Sequence, residues 1–509
     1  MSTFQSTLSL LLLATFILYR IYIIVRNVWF HPLSKVPGPK LYAASWIPKV
    51  WNNNVRGKHW VDLKYLHEKY GNVVRVGPDE VSCSSAQGWN DIAGHKTGGK
   101  RDFPRDLNFL ELQQMDTRGS IISPVKEEHR MFRRLIQPGF SESALTAQEP
   151  VILEYGDHFV ASLRRRCATG PIDLERTFVW TTFDMMGELA FGEGFGCLKT
   201  DSTHRFIRLM ETSAQPLALL QALHRFEVGK LIERITVSLP FLRRWFETQV
   251  ISFDKVTARF ERIKTDPHLR KDVMSLIWRD AQADSAPISH HQAAQLANLL
   301  CLTGAETAST TLAGLSYWLL CTPHAQKRLV DEIRGSFARE EDITMRSIAQ
   351  LPYLKACIQE GLRKHTFLSG PIPRVSPKGG DWVEGYFLPE GTICGVPHWA
   401  SGHLARNFGQ YDSYLPERWL SGAENDPRFA HDSKGASQPF GKGAMDCIGR
   451  TLALTQLRLM MVKLFWNFDV ELRPESQKWV SHEEAKCTLF REKAPLWVNV
   501  RPVERDNTL

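Results

Sequence analysis

Residues 8–25 are apolar or weakly polar at every position except Arg20; Arg26, Lys35 and Lys40 follow the run, and no basic residue precedes it. A stretch of this length just spans the hydrocarbon layer of a bilayer, with Arg20 near enough to its end to snorkel to the interface. Basic residues on the trailing side predict that the bulk of the chain lies in the cytosol. A cleaved leader would want basic residues before the run and a small-residue cleavage site behind it, and neither is present. An amphipathic helix lying on the membrane surface is the alternative to a spanning anchor. Residues 31–40 carry Pro32, Pro37 and Pro39, which cannot continue a helix and predict a stiff hinge.

Past the hinge the pattern becomes that of a folded domain. Helical spacing runs through 60–70 and stops at Gly71, and 72–76 then predicts a short strand. Much of 128–136, 177–191, 206–246 and 325–337 predicts helix, the third interrupted at Pro216 and Pro240. Residues 293–320 are apolar nearly all round, so they predict a buried central helix. Strand-like pieces come late, at 382–387, 392–396 and 496–500. Residues 94–114 mix Gly, Pro and charge around Phe103, Phe109 and Leu110, which predicts a long loop of the kind that covers ligands. With no repeat or low-complexity linker, the simplest organisation is an anchor (1–30), a hinge (31–40) and one large domain (41–509). That domain is mainly α with a smaller β portion.

Composition narrows the function classes. At 43% hydrophobic and 23% charged residues the chain has an ordinary globular make-up with ample core. The formal charge of +8 is a mild excess without Lys/Arg blocks, which argues against a nucleic-acid tract and fits anionic lipid or an acidic partner. Nine scattered cysteines, with no CxxC pair and no zinc spacing, do not form a disulfide framework and place the domain in a reducing compartment.

The candidate chemistry lies in four places. Pro439-Phe440-Gly441-Lys442-Gly443-Ala444-Met445-Asp446-Cys447-Ile448-Gly449 puts one cysteine just before a helix-like segment, where the helix dipole favours a thiolate. The glycines let backbone approach a flat ligand, and Phe440 can pack beside it. A buried, inert cysteine at a glycine turn is the other reading. Within the central helix, Thr303-Gly304-Ala305-Glu306-Thr307 buries an acid beside an alcohol, whose hydroxyl is placed to bond back to the Thr303 carbonyl. A polar pair satisfied in a helix groove is the alternative there. Glu360 and Arg363 share one helix face, which is usually a surface ion pair. His129, Arg133 and Arg374 are cationic or N–H groups that a buried carboxylate would need.

In this order and spacing the chain resembles the haem-thiolate monooxygenases, the cytochromes P-450, of the membrane-bound fungal type. Phe440, Gly443, Cys447 and Gly449 match the family's FxxGxRxCxG loop, with Met445 where the arginine is usual. Thr303 to Thr307 is similar to (A/G)Gx(D/E)T, Glu360 and Arg363 to ExxR, and Pro416-Glu417-Arg418-Trp419 to the PERW segment. His129 and Arg133 match WxxxR with His for Trp, and even His67-Glu68-Lys69-Tyr70-Gly71 looks like these proteins.

The resemblance implies a cytochrome P-450 fold holding haem b. Cys447 would be the axial ligand to iron, within a loop that includes Phe440, Gly441 and Gly449. His129, Arg133 and Arg374 would bind the haem propionates, with Lys442 a further candidate. Thr307 and Glu306 would steady dioxygen and relay protons, and Glu360, Arg363 and Arg418 would form a structural network that locks the cysteine loop. It also implies electrons from NADPH through a separate reductase, with cytochrome b5 as a second donor, and location in the endoplasmic reticulum membrane. Phe103, Phe109, Leu299, Leu302, Phe367, Leu368 and Ile372 would line an apolar pocket for a lipophilic secondary metabolite. Two alternatives stay open: a haem-thiolate isomerase, dehydratase or peroxide-using enzyme, and a non-catalytic haem or hydrophobe binder.

Overall fold

A computed structural model describes residues 2–96, 101–107, 121–123, 125–223, 225–226, 240–266, 273–275, 277, 288–480, 485–488 and 491–504. The apolar run forms a helix, α1 (Ser2–Val25), that continues through a wider turn at Arg26–Phe30. The apolar window of this candidate span is not buried against the rest of the protein, whereas Asn27 near its end is. The proline segment behind it docks onto the domain: Leu33 is fully buried, and the Arg75 amide donates to the Pro37 carbonyl at 2.7 Å.

The domain is built from long helices: α2 (His59–Tyr70), α3 (Ala86–Ala93), α4 (Lys126–Ile136), α5 (Glu142–Cys167), α6 (Leu174–Phe191), α7 (Arg205–Leu223) and α8 (Pro240–Thr265). The series continues with α9 (His290–Leu320), α10 (Pro323–Ser336), α11 (Pro352–Lys364) and α12 (Arg450–Asn467). The expected helix 206–246 differs in one respect. α7 runs straight through Pro216, and only the start of α8 coincides with a proline, Pro240. The ring removes one backbone bond, and packing of α7 along α8 outweighs that local preference. α5 likewise continues through Pro150.

The central helix is α9. Ser289 and Gln292 cap its start reciprocally, each side chain accepting from the other's backbone N–H. α6 lies along it, and a Cβ on Gly304 would come within 2.6 Å of the Met186 side chain. The main apolar core fills the space between α5, α6, α9, α11 and α12.

Sheets are small and sit to one side. One runs β1 (Val73–Gly77), β2 (Glu80–Cys83), β7 (Ile393–Gly395), β4 (Arg374–Val375). A second runs β3 (Ile172–Asp173), β9 (Trp497–Pro502), β8 (Phe468–Leu472), and β5 (Asp381–Val383) pairs with β6 (Tyr386–Leu388). The stretch 382–387, expected as one strand, is thus a hairpin, turning at Glu384 and Gly385, which both have positive φ. An isolated bridge pairs Arg105 with Arg374 and carries the first sheet's ladder into the loop expected at 94–114. Phe109 and Leu110 lie outside the described residues.

One buried ionic network joins α11 to the segment leading toward the cysteine loop. Arg363 donates twice to Glu360, at 2.8 and 2.7 Å, and Arg418 Nε donates to the same carboxylate at 3.1 Å. The Trp419 indole and the Leu415 amide complete the shell, and Arg418 also pairs with Asp432. The carboxylate and both guanidiniums are fully buried. Burial alone would raise the Glu360 carboxyl, but Arg363 and Arg418 outweigh it and hold the group down at about 2. This stability is therefore present above the ordinary carboxylate range and is lost as pH falls toward 2.

Glu360→Gln leaves two buried guanidiniums short of an anion and is expected to destabilise the fold by about 3–5 kcal/mol. Arg328→Ala, which removes one side of the exposed Arg328–Glu417 pair, should change it by about 0–1 kcal/mol. Thermal denaturation midpoints of the two variants check the contrast.

Candidate active site

The cysteine loop is held by its own backbone. The Cys447 amide donates to the Phe440 carbonyl at 2.8 Å, which folds residues 440–447 into a closed turn ahead of α12. Glycine is required at 443: its φ is +77°, and a Cβ there would come within 1.9 Å of the Ala93 carbonyl oxygen. Gly441 is also left-handed, at φ +73°, and Gly449 sits beside the Cys447 sulfur. The Phe440 ring lies under the Arg450 guanidinium at 5.4 Å.

Cys447 is accessible, unlike six of the nine cysteines, which are buried. Desolvation still pushes its thiol up, as for a group lining an interior space; the Gly449 N–H, Arg450 and Arg133 act in the opposite direction. A thiolate here therefore calls for a cation close to its sulfur. Among the described residues no group of three His, Cys, Asp or Glu side chains is arranged to hold a metal ion.

Cations gather above the loop. Arg133 on α4 donates to the Asp446 carbonyl at 2.8 Å and to its carboxylate at 2.6 Å, tying α4 to the cysteine loop. His129, one turn earlier on α4, is buried. Burial and then Arg105, Arg133, Arg374 and Arg130 press its imidazole down to about 4, so it is neutral at pH 7. Arg374 reaches the Phe103 carbonyl at 3.2 Å and the Met445 sulfur at 2.7 Å, a weak acceptor. Arg105, its partner across the β-bridge, is lowered to about 10 by burial and by the charges of Arg374 and Arg133.

Arg105, Arg133 and Arg374 thus share one neighbourhood in which, among the described residues, Asp446 pairs with Arg133 and Asp102, paired with Lys126, also faces Arg374, so cations outnumber carboxylates. Repulsion of this kind is stable only if an anion enters, and a cavity of about 330 Å³ lined by His129, Arg133, Arg374 and Met445 opens there. A thiol at a helix start and an uncompensated cationic cluster beside it fit a haem with its two carboxylates. Lys442 does not join the cluster, since its ammonium is directed to Asn90.

α9 supplies the acid and the alcohol. Thr303, Thr307 and Thr311 form a ladder in which each hydroxyl donates to the carbonyl four residues back, at 2.7, 2.7 and 2.8 Å. Thr307 spends its proton on Thr303 and offers lone pairs to a ligand. Glu306 is buried and pairs with Lys493 at 2.8 Å. Leu299, Leu302, Phe367, Leu368 and Ile372 are partly exposed, as pocket walls are. Phe103 is fully buried and is also one of the residues that line the cavity beside His129 and Arg374. The bridge that pairs Arg105 with Arg374 turns its ring into the core of the first sheet, where it is buried among Val81, Cys394 and Val396.

Sequence reading missed two residues. Arg105 had one visible signal, since Pro104-Arg105 repeats the dipeptide Pro373-Arg374. Lys493 had none, because 187 residues separate it from Glu306.

An accessible thiol at the start of a helix beside a cavity lined mostly by cations, with an acid–alcohol pair on the central helix of a mainly helical fold, fits a haem-thiolate protein. The family model described as cytochrome P-450 matches residues 37–498, and the chain belongs to that family. It is similar to the cytochrome P-450 monooxygenase efuB of Hormonema carpetanum, 34% identical over 499 residues, 97% of this chain and 96% of that protein. Cytochrome P-450 monooxygenase astJ of Aspergillus oryzae is 34% identical over 490 residues, 94% of each chain. Averantin hydroxylase of Dothistroma septosporum is 32% identical over 516 residues, covering 99% of this chain and 92% of the relative. The protein is a cytochrome P-450 monooxygenase, an oxidoreductase with a haem-thiolate cofactor.

Arg105→Met is expected to weaken haem retention by about 1.5–3 kcal/mol, the worth of a hydrogen bond to a charged group. Met445→Arg adds a fourth guanidinium, which should tighten the haem and lower the melting temperature of the haem-free chain. Haem per polypeptide after gel filtration and apoprotein melting measure both.

Proposed function

We propose that this chain is an anchored monooxygenase that takes electrons from NADPH through a separate flavin reductase and oxidises a lipophilic secondary metabolite. The observation that carries the reading is the Cys447 loop beneath the Arg105, Arg133 and Arg374 cluster. Relatives named as monooxygenases, and one as averantin hydroxylase, support the reaction class. In this reading residues 1–30 are the membrane anchor, 31–40 the hinge and 41–509 the catalytic domain. The compartment is the endoplasmic reticulum, with the domain in the cytosol. Exposed Trp29, Phe30, Leu41, Ile47 and Trp51 next to the anchor support contact with lipid.

Cys447 would hold the iron of haem b through its thiolate, with Phe440, Gly441 and Gly449 shaping the turn around its sulfur. His129, Arg105, Arg133 and Arg374 would hold the two propionates. Bound haem supplies activation of dioxygen, one atom of which enters a substrate C–H bond while the other leaves as water. Thr307 accepts a hydrogen bond from a water or ligand beside α9 and keeps it in place. Glu306 is the acid one residue away that returns protons to that water. Glu360, Arg363 and Arg418 keep the segment before the cysteine loop in register. The exposed Arg130, Arg134 and Arg450 near this site suit an acidic partner, the reductase or cytochrome b5.

The test is the reduced carbon monoxide complex of the purified protein together with NADPH oxidation in reductase-containing vesicles. The expected result is a thiolate-shifted Soret band that Cys447→Ala abolishes; wild-type protein without that band sinks the reading. Thr307→Ala should keep the band and lower product formed per NADPH by on the order of tenfold, the lower range for a proton-handling group.

A further inference from the structure

Glu306 is not alone behind α9. Its partner Lys493 comes from the chain just before β9 and reaches a second carboxylate, Glu175, at 3.6 Å. Glu175 stands at the start of α6, the helix packed along α9. The three side chains are 11%, 10% and 3% exposed for Glu306, Lys493 and Glu175. Lys493 is within 2.8 Å of Glu306 and 3.5 Å of the Ser309 hydroxyl, whereas Glu175 Oε1 has no hydrogen-bond partner. One ammonium therefore serves two buried carboxylates.

The wider surroundings do not restore the balance. Glu175 is faced by Lys493 and Glu306, by Arg176 and Asp173 on either side in sequence, and Lys493 also feels Glu211 on α7. Arg166 faces Asp173 as well, which makes four acids against three cations among the described residues. Arg176 and Glu211 pair at 2.8 Å with about a quarter of each side chain exposed, so the cluster touches solvent at that pair. A buried acid in excess over its cations keeps a proton. Burial pushes Glu175 up to about 7, against the opposing pull of Lys493, and Lys493 itself is raised by Glu306 and Glu175 in spite of its burial.

We propose that Glu175 and Lys493 are positioning residues of a proton relay that reaches Glu306 from behind the central helix. The Lys493 ammonium gives a proton to the Glu306 carboxylate and takes one from the Glu175 carboxylic acid. The net change is Glu175 from acid to carboxylate and Glu306 from carboxylate to acid, with Lys493 cationic before and after and the total charge unchanged. Glu175 recovers its proton from solvent past Arg176 and Glu211. The relay rests on the reading of Glu306 and Thr307 given above.

The test uses the full-length protein in reductase-containing vesicles, with a lipophilic ligand chosen by its low-spin to high-spin shift. Coupling, as product per NADPH, is followed from pH 6 to pH 8, together with the thermal midpoint from pH 4.5 to pH 8. Wild-type coupling should fall about tenfold over that range, following the protonated fraction of a group that titrates at about 7. Glu175→Gln should be flat at the low level, and Glu175→Asp should keep the slope. Because Glu175 binds its proton more tightly folded than unfolded, its contribution to stability is complete below the ordinary carboxylate range and is lost as pH rises to about 7. Glu175→Gln should remove that component from the thermal midpoint.

Lys493→Arg separates relay from scaffold. Arginine keeps the ion pairs and does not give up its proton, so it should preserve haem content and the carbon monoxide band while flattening the coupling profile. A merely structural lysine would lose nothing. The relay is overturned if Glu175→Gln and Lys493→Arg both keep the wild-type slope with the thiolate band intact. Absence of that band in wild-type protein overturns the monooxygenase reading itself.

Discussion

Glu360 holds two guanidiniums and an indole N–H in a place with no solvent, and the geometry of the catalytic face depends on that contact. Arg363 spends its other donors on the carbonyls of Gly402, Tyr411 and Ser413, and Arg418 on those of Gly409 and Gln410. An irregular stretch of chain with few backbone ladder bonds is thereby fixed from within. Desolvation makes each of these groups expensive alone and stable only as a neutral set: two cations, Glu360 and Asp432. The turn that presents Cys447 follows this stretch in the chain, after two short helical turns at Ala423–Asn425 and Lys434–Ala436.

The same constraint sorts the other buried charges by what they lack. Arg105, Arg133 and Arg374 exceed their acids and so mark where an anion belongs. Glu175 and Glu306 exceed Lys493 and so mark where a proton is kept. Two opposite imbalances in one domain, one by the thiol and one behind the acid–alcohol helix, match a chemistry that must hold a dianionic cofactor and deliver protons.

What the sequence made legible followed from local rules. The apolar N-terminal helix, the buried central helix and the back-bonded Thr307 need only hydropathy and i to i−4 geometry, and each is present in the structure. Pro216 defeated a local rule because packing of α7 on α8 outweighs one lost backbone bond. Phe103 belongs both to the core beside the first sheet and to the cavity wall, two roles that apolarity alone does not distinguish. Arg105 and Lys493 escaped because their meaning lies in partners hundreds of residues away: a β-bridge to Arg374 in one case and an ion pair with Glu306 in the other. Local pattern names the elements, whereas pairing across the sheet and between layers decides which charges meet.

Met445 is intelligible in the same terms. Its sulfur lies 2.7 Å from a guanidinium nitrogen of Arg374, and Arg374 is held at that place by the bridge to Arg105. An arginine at 445 would bring a like charge to about 4 Å, a repulsion on the order of 4 kcal/mol at the effective dielectric of such sites. The thioether removes that repulsion beside the bridge that pairs Arg105 with Arg374. Position 445 therefore adds no cation beside Arg374, while Arg105, across the bridge, brings a guanidinium to the same neighbourhood.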